Sequence, residues 1–216
     1  MIGSSADILK QIIADKGLSW PQFAAHCGIS YIQLFRWLTR TYLPGKQVVR
    51  CVVKATDLDE ADMLARVAKD RQAVLAWATN IVLQTGLRDV RTIKQIPGGR
   101  NFVFEVNGEW VLKVVCDELG EVQQLLREQA IRGLLAYNRE IPAAELLETG
   151  DIPRPWLMTR KVAGRPLTYL WAKMTHEQRC NACLQIGQLT GRLQSLPSES
   201  LRCSTHIPFY LYPEER

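Results

Sequence analysis

The stretch that decides the fold runs from Ile93 to Val115 and reads IKQIPGGRNFVFEVNGEWVLKVV. Two runs of β-forming residues flank Asn107-Gly108, a dipeptide that accepts the positive φ angles of a tight hairpin turn. Ahead of the hairpin, Gly98-Gly99 has no Cβ atoms to keep an anion away from the backbone N–H groups. Lys113 is a lone cation in the second apolar run, where a lysine usually needs a carboxylate or a phosphate as partner. The stretch therefore predicts an antiparallel hairpin next to an anion-binding turn.

Further segments follow the hairpin in a recognisable order. A helical run from Val122 to Ala136 carries Glu128, an apolar run covers 156–158, and a helix with its exit covers 186–197. With the Gly-rich turn and the strand lysine, this ordered set resembles the aminoglycoside phosphotransferase and choline kinase-like family over about residues 72–197. The resemblance implies a protein kinase-like small lobe, made of an antiparallel sheet plus a helix, followed by the start of a helical large lobe.

The resemblance also implies a role for individual residues. The Gly-rich turn would lie over the triphosphate, and Lys113, held by Glu128, would neutralise the phosphate charge of ATP bound with Mg²⁺. Adenine would meet backbone groups in the segment 159–162. The alternative is that Lys113 and Glu128 form an ion pair that only fixes the helix to the sheet. The residues implied to bind nucleotide are Gly98, Gly99, Arg100, Asn101, Lys113, Glu128, Thr159, Arg160 and Val162.

The sequence lacks the residues that the resemblance would require for catalysis. Phosphoryl transfer needs a carboxylate near the attacking hydroxyl and oxygen ligands for Mg²⁺. No aspartate follows Asp151, and the only later asparagine is Asn181, inside a predicted helix. We therefore assign no catalytic and no metal-binding residue, and whether the chain is an enzyme stays open.

Three explanations fit a phosphate grip without a catalytic loop. The chain could be part of a longer kinase, half of a split kinase, or a regulator that uses a degenerate nucleotide-binding lobe. In each case the predicted helix from Glu177 to Leu196 should expose an apolar side. We therefore expect a partner polypeptide or a homodimer to bind through residues 164–216.

The first seventy residues form short helices with clear boundaries. Ser19 and Ser30 each precede a glutamine by three residues, which is the capping-box spacing, and a turn containing Gly28 lies between the two helices. Two short helices joined in this way resemble phage-repressor-like helix-turn-helix domains. We expect the second helix, from Tyr31 to Arg40, to face outward for DNA.

Two interpretations of that outward face stay open. Gln and Arg side chains read adenine and guanine edges in the major groove, and basic residues touch phosphate. Exposed Leu34 and Trp37 on the same face would instead favour a small bundle for protein contacts or dimerisation. The residues predicted to contact DNA are Tyr31, Gln33, Arg36, Arg40, Lys46 and Arg50.

Composition narrows the class of protein further. A net charge of +5 permits nucleic acid or phosphorylated ligands without requiring them, and no apolar run predicts a membrane span. Six scattered cysteines indicate free, buried thiols in the cytoplasm. Cys180, Cys183, Cys203 and His206 have a spacing that zinc could use, but a long helix lies between the pairs, so zinc is not expected.

These observations predict an α+β chain of three parts. An all-α helix-turn-helix bundle covers residues 1–70, a kinase-like small lobe with a leading helix covers 71–163, and an incomplete helical large lobe covers 164–216. The leading function is a DNA-binding regulator joined to an ATP-binding, phosphotransferase-like lobe. The alternatives are the N-terminal part of a kinase completed by further sequence or a partner, and a protein-interaction module on a degenerate kinase scaffold.

Overall fold

The computed structural model describes residues 4–97, 100–116, 122–136, 141–152, 154–165 and 167–196. Within them, N-terminal helices precede an antiparallel sheet with further helices. The helices are α1 (Ser5–Asp15), α2 (Trp20–His26), α3 (Tyr31–Leu38), α4 (Lys46–Thr56), α5 (Glu60–Gln84), α6 (Val122–Ala136), α7 (Leu167–Leu170) and α8 (His176–Gln194), with a 3₁₀ turn at Trp171–Lys173. The strands are β1 (Ile93–Ile96), β2 (Phe102–Val106), β3 (Trp110–Val114), β4 (Leu146–Gly150) and β5 (Trp156–Arg160).

Capping boxes start three helices of the N-terminal bundle, which comprises α1 to α5: they are α1, α2 and α3. The hydroxyl of Ser30 accepts the backbone N–H of Gln33 at 3.2 Å, and the Gln33 side chain accepts the N–H of Ser30 at 3.0 Å. Ser4 and Asp7 make the same reciprocal contacts at the start of α1. Each box satisfies helix N–H groups that have no intrahelical acceptor, so the start of α3 at Tyr31 follows from local sequence.

The inward side of α3 differs from the sequence-based expectation. Leu34 and Trp37, predicted to be exposed, are fully buried, whereas the apolar side chain of Ile32 is 57% exposed. Leu34, Trp37 and Leu38 form one stripe with helical spacing, and the Trp37 indole donates to the Ser5 hydroxyl at 2.9 Å. Burying this larger stripe with its N–H satisfied is more favourable than burying Ile32 and Phe35. Because Trp37 and Leu34 are buried, they do not favour a protein-contact face on α3.

One continuous helix runs through the predicted boundary between the first two parts of the chain. Helix α5 is 25 residues long and passes through the predicted boundary at residue 70. No Gly or Pro interrupts it, and the polar gap in its apolar pattern contains Asp70, which accepts the N–H and hydroxyl of Ser5 at 2.9 and 2.5 Å. The first half of α5 contributes Met63 and Val67 to the core of the bundle.

The second half of α5 covers one face of the sheet. The strand order is β1-β2-β3-β5-β4, with antiparallel pairs throughout. Because side chains alternate along a strand, alternate residues of β2, β3 and β5 form a continuous apolar face. This face packs against Ala78, Ile81 and Val82 of α5 and consists of Phe102, Phe104, Val106, Trp110, Leu112, Val114, Trp156 and Met158.

The hairpin between β2 and β3 has the predicted turn. Asn107 and Gly108 have φ angles of +54° and +74°, as the two central residues of a type I′ turn require. The Asn107 side chain also accepts the backbone N–H groups of Arg91 and Thr92 at 2.8 and 3.0 Å. The turn residue therefore fixes the chain that enters β1 as well as its own hairpin.

The C-terminal helices lie on the surface, as the sequence predicted for the last helix. Helix α8 buries none of its residues, and Leu184 and Ile186 are 61% and 50% exposed. Cys180 and Cys183 are exposed on this helix, which corrects the expectation of buried thiols, although Cys27 and Cys116 are buried as expected. The proposed zinc partners Cys203 and His206 lie outside the described residues. No helix in the described part of the chain combines the length and apolar character needed to cross a bilayer.

Candidate functional site

The face of the sheet opposite α5 carries the predicted strand lysine. Residues paired directly across antiparallel strands point to the same side, and Lys113 lies between Val103 of β2 and Leu157 of β5. One step along the strands, Val111 lies between Glu105 and Thr159 in the same way. These six side chains form the lysine face. Its apolar members were not predicted, although the alternation along β2 and β3 contains the signal.

Helix α6 places a carboxylate over the lysine face. The ammonium group of Lys113 donates to Glu128, as the sequence predicted, and both side chains are about one-quarter exposed. The guanidinium of Arg132 donates to the other oxygen of Glu128 at 3.0 Å. Glu128 is thus held between two cations, and the second was not predicted, although its spacing of four residues on a helix is a recognisable pairing signal.

The ion pairs keep Glu128 in its charged form. Burial alone would raise the pKa of this carboxyl, but the hydrogen bonds and charges of Lys113 and Arg132 outweigh that effect and lower the pKa. A second contact positions the helix, because the Gln129 amide donates to the backbone oxygen of Trp156 at 2.8 Å. Helix α6 is therefore fixed to both β3 and β5 with its carboxylate ionised at neutral pH.

The predicted phosphate turn is described only in part. Gly98 and Gly99 lie outside the described residues, and Arg100 is exposed. Asn101 is 5% exposed, and its carbonyl oxygen Oδ1 is buried without a hydrogen-bond donor among the described residues. A buried acceptor of this kind costs free energy unless a donor reaches it, so this position suits a ligand with an N–H or O–H group.

The segment after β5 is fixed to the β2–β3 hairpin. The N–H of Lys161 donates to the oxygen of Glu109 at 2.7 Å, and the Lys161 side chain pairs with Glu105 on the lysine face. The other three predicted residues of this segment differ in environment. Thr159 is 5% exposed, Arg160 stacks on Trp110 with 4.6 Å to the ring centroid, and Val162 is 72% exposed. Of these three, only Thr159 belongs to the lysine face.

The residues predicted to contact DNA differ in their position and in their exposure. Tyr31 and Gln33 are exposed in the first turn of α3, Arg36 is half-buried, and Lys46 is exposed at the start of α4. Arg40 lies beyond the end of α3 in the left-handed conformation, with φ of +59°, and its guanidinium contacts Asp7 at 3.0 Å.

Arg50 likewise pairs with a carboxylate of the bundle, Glu60, at 2.7 Å. The Gln33 side chain accepts the N–H of Ser30 in its capping box, so three of the six residues predicted to contact DNA already have a partner within the bundle.

The described residues offer no place for Mg²⁺. Glu128 is occupied by Lys113 and Arg132, and Glu105 by Lys161, so neither carboxylate is available to a metal. Across the described ranges, no group of three or more His, Cys, Asp or Glu side chains could hold a metal ion. The described part of the site therefore presents a cation, Lys113, and no carboxylate that is free for proton transfer or metal binding.

The fold was compared with curated proteins and with solved structures. None of the curated proteins matches the chain. Among solved structures, the GDP complex of aminoglycoside 2′-phosphotransferase-IIIa is similar with 22% identity and a TM-score of 0.53, covering 60% of this chain and 44% of that one. The GDP and kanamycin complex of APH(2″)-IIIa gives the same identity and TM-score, with 60% and 45% covered. These likenesses show the fold alone, and the chain spans less than half the length of either structure.

The family comparison reaches further along the chain. The model of the phosphotransferase enzyme family, APH, matches residues 92–216, which is more than half of the chain and includes the strands and helices that carry Lys113 and Glu128. The chain therefore belongs to the phosphotransferase enzyme family.

Proposed function

We propose that the chain binds a nucleoside triphosphate through the lysine face of its sheet. The observation that carries this proposal is the pair formed by Lys113 and Glu128 on the face that α5 leaves uncovered. Lys113 donates to phosphate oxygens, and Glu128 holds the ammonium group in place. A purely structural ion pair would not need half-buried apolar side chains beside the lysine, such as Val103 and Val111.

Several observations support a nucleotide as the ligand class. The solved structures similar to this chain contain GDP. The half-buried side chains of Val103 and Val111 provide apolar surface against which a planar base packs while Lys113 meets its phosphates.

The proposed activity of the chain by itself is binding without phosphoryl transfer. Transfer requires a carboxylate at the acceptor hydroxyl, and the sequence contains no Asp beyond Asp151. We propose that a polypeptide segment carrying those groups docks on residues 164–196. The exposed apolar side chains there would be covered by it, and they include Tyr169, Leu184, Ile186 and Leu193.

Calorimetry with ATP, ADP and GDP, each with and without Mg²⁺, tests the nucleotide proposal. Lys113→Met removes the cation but keeps the length of the side chain, and Lys69→Met makes the same change on the exposed surface of α5. We expect saturable binding that weakens about tenfold or more in Lys113→Met, since a charge-assisted hydrogen bond is lost. Lys69→Met should bind like the unmodified chain. Absence of binding in a folded chain, or equal affinities in both variants, would remove the proposal.

We further propose that the N-terminal bundle contacts DNA. The exposed positions of Tyr31 and Gln33 in the first turn of α3, with Lys46 nearby in sequence at the start of α4, favour this second function. Arg40 and Arg50 contribute less than the sequence suggested, because Asp7 and Glu60 already neutralise them.

Fluorescence anisotropy with labelled duplex DNA tests this second function. Gln33→Glu, which keeps an oxygen to accept the N–H of Ser30, should reduce discrimination between duplex sequences. Lys46→Gln should weaken binding to all of them and lower the salt dependence. Lys69→Gln, on α5, is the matched control for the charge change. Binding that is insensitive to Gln33 and Lys46 would assign the bundle to another role.

A further inference from the structure

Two neighbouring apolar side chains are exposed in the first turn of α3. Among the described residues 4–70, the large apolar side chains that are exposed are Tyr31, at 45%, and Ile32, at 57%. The other large apolar side chains of this range are buried or half-buried, as is expected of a bundle that packs around one core. The packing of the bundle therefore does not account for this exposed pair.

The three side chains of this turn differ in how far the bundle holds them. The Tyr31 ring packs against Phe35 with centroids 5.9 Å apart, and Gln33 uses its oxygen to accept the N–H of Ser30 at 3.0 Å. Ile32 does not belong to the apolar core of the bundle. As a β-branched residue in a helix it has one strongly preferred rotamer. Ile32 therefore presents a stiff apolar group to solvent, and this group loses little conformational freedom when it is contacted.

An apolar group at the start of the second helix of a helix-turn-helix pair lies where base edges are read. In the major groove most groups on these edges are hydrogen-bond donors and acceptors, and the methyl group of thymine is the apolar one. A side chain without N–H or O–H groups would leave the polar atoms of the other edges without a partner. Ile32 thus matches thymine better than it matches any of the other three bases.

We propose that Ile32 contacts the methyl group of a thymine in the major groove and is a specificity-determining residue of the bundle. This contact rests on the DNA binding proposed above for the same face, and it identifies the base that the face selects. Lys46, exposed at the start of α4, supplies charge for phosphate and carries no base preference. The selectivity for thymine and the overall affinity therefore come from different residues, which an experiment can separate.

The probe is a random-sequence pool of duplexes about two helical turns long, from which the full chain enriches its preferred sequence. In the enriched duplex each thymine is replaced in turn by uracil, which forms the same base pair and lacks only the methyl group. Fluorescence anisotropy at constant salt measures the affinity for each duplex. We expect at least one position at which uracil weakens binding about fourfold, because the complex no longer buries a methyl group there.

Variants of Ile32 assign the lost affinity to its side chain. Ile32→Asn should bind the thymine and uracil duplexes equally, whereas Ile32→Val, which keeps a branched apolar side chain, should retain the preference for thymine. Leu83→Asn introduces the same polar group at a 63% exposed position of α5 and should leave both affinities unchanged. Lys46→Gln should weaken binding to both duplexes by the same factor.

Failure of DNA binding and failure of the thymine contact give different results. If the folded chain, checked by circular dichroism, binds no duplex at all, the DNA binding is refuted and the thymine contact with it. The thymine contact alone is overturned if the chain binds DNA but enriches no sequence, or tolerates uracil at every position. It is also overturned if Ile32→Asn keeps the preference for thymine.

Discussion

The pair between Lys113 and Glu128 should be measurable as a coupling free energy that depends on pH. The perturbation is a double-mutant cycle with Lys113→Met and Glu128→Gln, which removes each charge while nearly preserving side-chain shape. For unit charges about 4 Å apart at an effective dielectric constant of about 20, the attraction is about 4 kcal/mol. The two groups are only 25% and 26% exposed, so desolvation offsets much of this attraction. We expect a net coupling of about 1–2 kcal/mol at pH 7.

The pH dependence of this coupling follows from the lowered pKa of Glu128. An unfolded glutamate titrates near 4.5, whereas the Lys113 and Arg132 contacts lower the pKa in the folded chain. Below pH 4.5 the unfolded state therefore binds a proton more readily than the folded state. The stabilisation is complete above that pH and is lost progressively as the pH falls through the lowered folded value.

The assay is urea unfolding of the four cycle members from pH 7 down to about pH 3, followed by circular dichroism. A second cycle with Asp89→Asn and Arg91→Gln provides the control, because that pair is 64% and 78% exposed and should couple only weakly. A coupling at pH 7 no larger than in the control cycle, or one that increases on acidification, would refute the argument that Lys113 and Arg132 hold a charged Glu128.

Three further outcomes test the fold around the site. Gly150→Ala should destabilise the chain by about 1–3 kcal/mol in urea, because a Cβ there would lie 2.6 Å from the Trp156 ring, whereas Gly133→Ala, with open space around it in α6, should be neutral or stabilising. Asn107→Ala should cost about 1–3 kcal/mol, since the residue has a positive φ and its side chain caps two backbone N–H groups; an unchanged urea midpoint would contradict this. A thiol reagent on the native chain should label two exposed cysteines of α8 first and Cys27 only after unfolding, because burial shields the Cys27 thiol and raises its pKa. Mass spectrometry identifies the modified sites, and rapid labelling of Cys27 in the native chain would contradict its burial. The first two sites are Cys180 and Cys183.

Local signals were sufficient for the elements around the site. The dipeptide Asn107-Gly108 specifies its turn because both residues tolerate positive φ, and the run from Val122 to Ala136 forms a helix with the predicted bounds. The contact between Lys113 and Glu128 followed from the resemblance and is present in the structure. Its nucleotide-binding role stays a prediction, because geometry alone does not separate a phosphate grip from a structural ion pair.

Long-range packing decided what local patterns could not. Which stripe of α3 turns inward depends on where Ser5 can accept the Trp37 indole, and that acceptor comes from another helix. Asp70 interrupts the apolar pattern of α5, but its carboxylate accepts a hydrogen bond from Ser5, 65 residues away in the chain. The local pattern alone therefore could not show that the helix continues through Asp70. The carboxylate partners of Arg40 and Arg50 lie on other helices, α1 and α5, so the sequence of a single helix could not predict them.

Helix α5 belongs to both halves of the chain. Helix α5 contributes to the bundle core with its first half and covers the sheet with its second. The amide of Gln95 in β1 donates to the backbone oxygen of Thr41 at 3.0 Å, which joins the bundle to the edge of the sheet. A fragment that begins at residue 71 would therefore break a helix and remove a partner of β1, instead of releasing an independent lobe.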